Sequence, residues 1–184
     1  MRAGRWLCLL LALLVLPAAS AEDYPPVDSS AWGKQYDEYF KKYSKRYFGP
    51  GFDWRWFKAQ AIAESRLNHN AKSHVGAIGV MQLMPATYAE IRDKNPHFKD
   101  ISTPRWNIAA GIYYNRYLFT HQVWDGMPDE EKLLVAFAAY NAGLGGVLKA
   151  HRKLQPNRAK AWQEVAPHSP RETRGYVKRI KHIK

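Results

Sequence analysis

From residue 31 onward the chain alternates between helical hydrophobic stripes and short breaks marked by glycine and proline. Trp32, Tyr36, Tyr39, Phe40, Tyr43 and Tyr47 recur at spacings of three, four, seven and eight, with lysine and aspartate between them. That period predicts an amphipathic helix over 31–48, its aromatic stripe a packing face. Gly49-Pro50-Gly51 ends it. Asp53 is placed to cap a second helix running to about Leu67. Residues 68–85 carry no period, and Gly76 and Gly79 fall close together there. Further helices are expected over 85–94 and over 104–121, the latter opened by Thr103-Pro104. Others are expected over 130–141 with a stop at Gly143, in a shorter piece that Gly145-Gly146 precedes and that runs through Lys153, over 159–165 and over 171–182. No alternating run bounded by hairpin turns occurs, and no internal repeat. The expected class is mainly α, with a helical N-terminal extension.

Composition narrows the picture. A length of 184 residues suits one domain, and 46% hydrophobic residues exclude a disordered chain. Aromatic residues reach 14%, enough to fill a core or line a groove. The first 21 residues stand apart. Arg2 and Arg5 precede an apolar run from Trp6 to Leu16, and Ala19-Ser20-Ala21 supplies a cleavage signal. A signal peptide is expected over 1–21, a linker and aromatic-rich helix over 22–50, and the main domain over 51–184; retention of the apolar run as an anchor is the alternative. The lone cysteine, Cys8, lies in that run. The processed chain then has no thiol, which excludes a disulfide framework, a cysteine nucleophile and a thiolate metal site.

The formal charge of +12 becomes +10 once Arg2 and Arg5 are removed, since residues 1–21 hold no Asp or Glu. A basic exported protein is drawn to anionic polymers or membrane surfaces, and export argues against nucleic acid as a partner. The C-terminal Lys178, Arg179, Lys181 and Lys184 are most simply a solvated face. The seven histidines show no H-E-x-x-H spacing, so no metal site is expected. Neither a P-loop nor a G-x-S-x-G elbow is present.

Between Trp54 and Ala89 there is one carboxylate, Glu64. Ala61, Ile62, Ala63 and Leu67 surround it near the end of its predicted helix. A carboxyl held against apolar surface has its pKa raised, and the negative end of a helix pushes the same way. Such a group stays protonated near neutrality, as a general acid must. A solvated helix glutamate is the bland alternative.

Glu64-Ser65 opens a long signature that continues through Asn68, Ala71, Ser73, Gly76-Ala77, Gly79 and Met81-Gln82-Leu83-Met84-Pro85. Two further segments follow in order, Ala139-Tyr140-Asn141-Ala142-Gly143 and Glu172-Thr173-Arg174-Gly175-Tyr176-Val177, with Asn107-Ile108 and Gly111 between. On these residues the chain closely resembles the soluble lytic transglycosylases, the lysozyme-like family 23 of glycoside hydrolases, over about residues 51–180. His69, His74 and Val80 depart from the usual pattern, away from the residues expected to touch the reaction.

The resemblance implies a lysozyme-like catalytic domain without cofactor or metal, acting as a monomer on peptidoglycan strands in the periplasm or cell envelope. Peripheral contact with membrane or an envelope complex stays open. The implied reaction cleaves the β-1,4 bond between N-acetylmuramic acid and N-acetylglucosamine and closes a 1,6-anhydro ring. A tethered nucleophile reduces what the protein must supply, so Glu64 serves first as general acid and then as general base. By the same resemblance Ser73 lies near Glu64 or the N-acetyl group, and Gln82 and Met84 face the sugar. Tyr140 and Asn141 line the cleft, and Glu172 and Tyr176 reach it from the C-terminal end. Core packing for Tyr140, a helix end for Asn141 and gap filling for Met84 are the structural alternatives. A goose-type hydrolase and a wall-binding scaffold are the competing functions. Glu131 and Glu172 are the carboxylates with which a hydrolase would complete its pair.

Overall fold

The computed structural model describes residues 24–154 and 159–184, so the expected signal peptide and Cys8 lie outside the described residues. Among these residues eight α-helices follow in order: α1 (Asp37–Phe48), α2 (Arg55–Ser65), α3 (Pro85–Lys94), α4 (Pro104–Phe119), α5 (Asp129–Ala142), α6 (Leu144–Arg152), α7 (Trp162–Val165) and α8 (Arg171–Ile183). Among the described residues the only β-type pairings are isolated bridges, Lys72 to Ile78 and Ile78 to Leu83. No helix among them is long and apolar enough to cross a membrane.

The proline starts behave as expected: Pro85 and Pro104 each open a helix from an extended preceding residue. Central to the core is α5, buried on every side from Leu133 to Tyr140, the pattern of a helix enclosed by others. Around it stand α4, α6, α7 and α8, while α2 lies against α8 and α1 against α4 and α2.

Three expectations are corrected. Residues 31–36 are turns and bends, and helix begins at Asp37. Trp32 instead folds back, its indole N–H donating to the Pro25 carbonyl at 3.0 Å and its ring stacking on Tyr24. Burial of Tyr24, Val27 and Trp32 outweighs the local helical period. The other end of this segment is tied to the C-terminus, where Val27 N–H donates to the Ile183 carbonyl at 2.6 Å. Secondly, Gly145 and Gly146 lie inside α6, because Gly143 at φ 75° makes the turn alone. Thirdly, Trp54 rather than Asp53 precedes α2; Asp53 still accepts the Arg55 N–H at 3.1 Å.

The aromatic stripe of α1 packs inward. Phe40 and Tyr43 are buried, and Phe48 meets Phe52, Phe57 and Phe119 with centroids 4.5, 4.9 and 5.3 Å away. One ionic tie joins α1 to α2. Lys58 Nζ lies 2.7 Å from Asp37 Oδ1, with side chains 4% and 15% exposed. Removing one member of a buried pair strands the other, at a cost of about 3–5 kcal/mol. Asp37→Ala is therefore expected to lower the thermal midpoint by roughly 10 °C, while Asp37→Leu with Lys58→Met should recover most of the loss; thermal unfolding followed by circular dichroism checks both.

Candidate active site

The centre of the site is the exit from α2. Glu64 stands one residue before the end of that helix and is 8% exposed. Arg66 and Leu67 then take left-handed backbone angles, φ 55° and 64°, and turn the chain sharply away. Non-glycine residues resist this conformation, so surrounding contacts must hold them there. One such contact is direct: Ser65 Oγ donates to the Val80 carbonyl at 2.8 Å, tying the helix end to the 71–83 loop.

That loop is held by side chains from three helices. Its base is closed by paired backbone bonds between Ile78 and Leu83 at 2.9 and 3.0 Å. From α4, Asn107 accepts the Met81 N–H at 2.8 Å and donates to the carbonyls of Ile78 and Ile101 at 2.9 and 3.0 Å. From α5, the Tyr140 hydroxyl donates to the Met81 carbonyl at 2.8 Å. Both signature glycines in contact with this arrangement are required by space. A Cβ on Gly79, at φ 79°, would sit 2.6 Å from Asn107 Nδ2, and one on Gly111 would sit 2.9 Å from the Met81 side chain.

Glu64 itself receives a short hydrogen bond, 2.5 Å, from the Tyr176 hydroxyl of α8. Gln60, one turn back on α2, donates to the same tyrosine oxygen at 3.1 Å. Burial drives the Glu64 pKa up, while the Tyr176 bond and the Arg179 charge pull it back, leaving it at about 8. A glutamic acid in this state is mostly protonated at neutral pH. Tyr176 and Tyr140 are pushed well above the ordinary phenol range, first by their own burial and then by Glu64. Both phenols therefore remain donors.

The remaining expected site residues fall into two groups. Ser73 Oγ accepts the Ala77 N–H at 2.9 Å and so shapes the loop turn. Gln82, 3% exposed and at φ 45°, donates its amide to the carbonyls of Ala71 and Gly79. These two build the loop, leaving the Ser73 hydroxyl hydrogen and the Gln82 Oε1 as the groups they can present. Met84 is half-buried at the extended residue before α3. Asn141 accepts from the Thr173 hydroxyl at 2.9 Å, joining the end of α5 to α8. Glu172 stands one turn before Tyr176 on α8, its carboxyl pKa raised by burial against the pull of Arg179. Glu131 is engaged elsewhere, accepting the Trp162 N–H at 2.6 Å.

Gln60 carried no signal in the sequence, since nothing local marks a helix glutamine as buried. Arg179 is not the solvated residue expected; it is half-buried, stacks over Tyr24 at 5.5 Å, and its charge reaches Glu64 and Glu172. Lys184 likewise pairs with Asp53 at 2.9 Å. Among the described residues no group of three or more His, Cys, Asp or Glu could hold a metal ion.

Known proteins share this arrangement of chain. The transglycosylase SLT domain model matches residues 38–163. The membrane-bound lytic murein transglycosylase F of Shewanella pealeana is 30% identical over 151 residues, covering 80% of this chain and 30% of that protein. Its counterpart in Actinobacillus succinogenes is 33% identical over 129 residues, 68% of this chain and 25% of that protein. Among solved structures, an inactive Glu-to-Gln mutant of the lytic transglycosylase Slt from Pseudomonas aeruginosa superimposes with a TM-score of 0.67 at 27% identity, over 83% of this chain and 24% of that one. The 70 kDa soluble lytic transglycosylase of Escherichia coli gives a TM-score of 0.64 at 28% identity, with the same coverage. This chain thus spans less than a third of the length of these relatives. With the family model covering most of the helical core, the loop clamp and the helix that carries Glu64, the chain belongs to the transglycosylase SLT domain family.

Proposed function

We propose that the protein is a lytic transglycosylase of the cell envelope that cleaves the MurNAc-β-1,4-GlcNAc bond of peptidoglycan and leaves 1,6-anhydro-MurNAc ends. The observation that carries this reading is the state of Glu64, a buried carboxyl with one phenol donor and a pKa of about 8. Protonated Glu64 gives its proton to the glycosidic oxygen as the bond breaks. The resulting carboxylate takes the proton of the sugar's 6-hydroxyl as that oxygen closes on the anomeric carbon. One carboxyl performs both transfers because the nucleophile is part of the substrate. Hydrolases of this kind place a second carboxyl about 5–9.5 Å away. The charge that acts on Glu64 is that of the Arg179 cation. The names of the relatives, lytic murein transglycosylases described as membrane-bound or soluble, support both the substrate and the envelope location.

In the same proposal Tyr176 is a positioning residue for Glu64, and Tyr140, Asn141, Ser73, Gln82, Met84 and Glu172 form the cleft around it. In this reading the clamped 71–83 loop forms one wall of the cleft, tied to the end of the Glu64 helix by the Ser65–Val80 bond.

Three outcomes test this. Digestion of purified peptidoglycan should release muropeptides one water lighter than hydrolysis products, read by mass spectrometry. Reducing ends would instead make the protein a hydrolase and single out Glu172. Glu64→Gln should lower release by about a hundredfold or more while sedimentation with peptidoglycan persists; retained turnover would remove Glu64 from its role. The rate should fall as pH rises through about 8, where the acid form of Glu64 is lost.

Stability supplies an independent check. The folded pKa of Glu64 lies above its unfolded value of 4.5. The folded state therefore holds the extra proton between these values, and stability declines as pH rises through that window. Glu64→Gln, which stays neutral, should be more stable than the parent by roughly 2–4 kcal/mol at pH 8 and equal to it below pH 4, as read by denaturant unfolding at the two pH values.

A further inference from the structure

Behind the Tyr176–Glu64 bond the hydrogen bonds continue into the core. Gln60 Oε1 accepts from Asn115 Nδ2 of α4 at 2.7 Å, and the same Nδ2 donates to the Gly111 carbonyl at 2.9 Å. Gln60 and Asn115 are completely buried. The chain of bonds runs from α4 through α2 to α8 and back to α2.

Its direction is determined from one end. The Gly111 carbonyl can only accept, so the Asn115 atom facing it is the NH2. The second hydrogen of that NH2 meets Gln60, whose atom there is its oxygen. Gln60 therefore turns its own NH2 toward Tyr176, and the phenol oxygen is an acceptor on that side. The phenol hydrogen is left pointing at Glu64 Oε1. Of the two oxygens of a carboxylic acid the carbonyl oxygen is the stronger acceptor, so the oxygen that receives this hydrogen is the carbonyl one. The acidic proton then belongs on Oε2, which has no hydrogen-bond partner among the described residues.

We propose that Gln60 and Asn115 are positioning residues that polarise the Tyr176 hydroxyl toward Glu64 and assign the reactive proton to Oε2; this rests on Glu64 acting as the acid in the reaction above. A second observation points the same way. Asn115 Oδ1 is buried without a partner. Such an orphan is a standing cost that an apolar residue would not carry. A pair of amides at 60 and 115 is thus poorly explained by packing and well explained by the direction it imposes. The other titratable groups facing Glu64 are Tyr140 on α5 and Arg179 on α8.

The near-isosteric double variant Gln60→Met/Asn115→Leu, made in the full chain, separates this from a structural role. Release of muropeptides from purified peptidoglycan should fall between about tenfold and a hundredfold, with the thermal midpoint unchanged or raised. The alkaline limb of the pH–rate profile should move upward, because a less polarised phenol stabilises the Glu64 carboxylate less. In a Tyr176→Phe background the same pair should change the rate by less than about twofold, since the relay then has no terminal hydroxyl. An equal loss in both backgrounds, an unmoved limb or an unchanged rate would overturn the assignment. If the double variant does not fold, Gln60→Glu serves instead. Its carboxylate would draw the phenol hydrogen away from Glu64 and lower the rate, and an unchanged rate again overturns the relay. Glu64→Gln assayed alongside keeps the two readings apart: an active Glu64→Gln defeats the proposed acid, whereas an inactive one beside fully active relay variants defeats only the relay.

Discussion

The bond from the Tyr176 hydroxyl to Glu64 joins residues 112 positions apart and holds the last helix to the second. Much of the architecture serves that meeting. α8 brings Tyr176, Val177, Ile180 and Ile183 into the core beside α2 and α5. Its end is secured twice, by the Val27 N–H on the Ile183 carbonyl and by Lys184 on Asp53. The N-terminal segment is therefore part of the frame that holds the candidate site, although it lies ahead of the residues matched by the family model. Tyr24 lies against both Arg66, just beyond Glu64, and Arg179, one turn beyond Tyr176.

The long signature around the acid takes a different meaning once its contacts are known. Ser65, Gly79, Met81, Gln82, Asn107, Gly111 and Tyr140 spend their hydrogen bonds or their small size on the conformation of one loop. A backbone with left-handed turns at Arg66, Leu67 and Gln82 is maintained only where such contacts over-determine it. The spacing of the motif across the chain follows from α4 and α5 each reaching the Met81 peptide from a different side, Asn107 at its N–H and Tyr140 at its carbonyl. Motif residues that look like ligands in the sequence are, in large part, the reason a loop can stand beside the acid.

This division also explains what could be read in advance. Helices α3, α4, α5 and α8 were legible because proline starts, glycine stops and apolar period agree locally. The apolar setting of Glu64 was legible for the same reason, since its neighbours along the helix are its neighbours in space. The turn conformation of residues 31–36 was not, because Trp32 is claimed by Tyr24 and Pro25 against its own helical period. Neither was the inward turn of Arg179, which depends on a ring 155 positions away. Gln60 and Asn115 look like ordinary polar helix positions, and only the docking of α2, α4 and α8 makes them a buried chain.

On the proposed reaction a single carboxyl gives a proton and then takes one, and these are opposed demands. Burial alone would make Glu64 a willing donor of poor stability as an anion; a close cation alone would make it a carboxylate that never donates. The surroundings combine the two in unequal measure. Desolvation dominates, and a phenol donor with Arg179 returns part of the shift without forming a salt bridge to the acid. The outcome near 8 keeps the proton available at neutral pH yet leaves the anion a defined partner once the proton has gone. Arg179 contributes by remaining at a distance, held over Tyr24 by a segment of chain whose other contacts fasten the two ends of the domain together. On the proposed reaction, fold and chemistry therefore meet in the placement of one cation that makes no salt bridge to the acid.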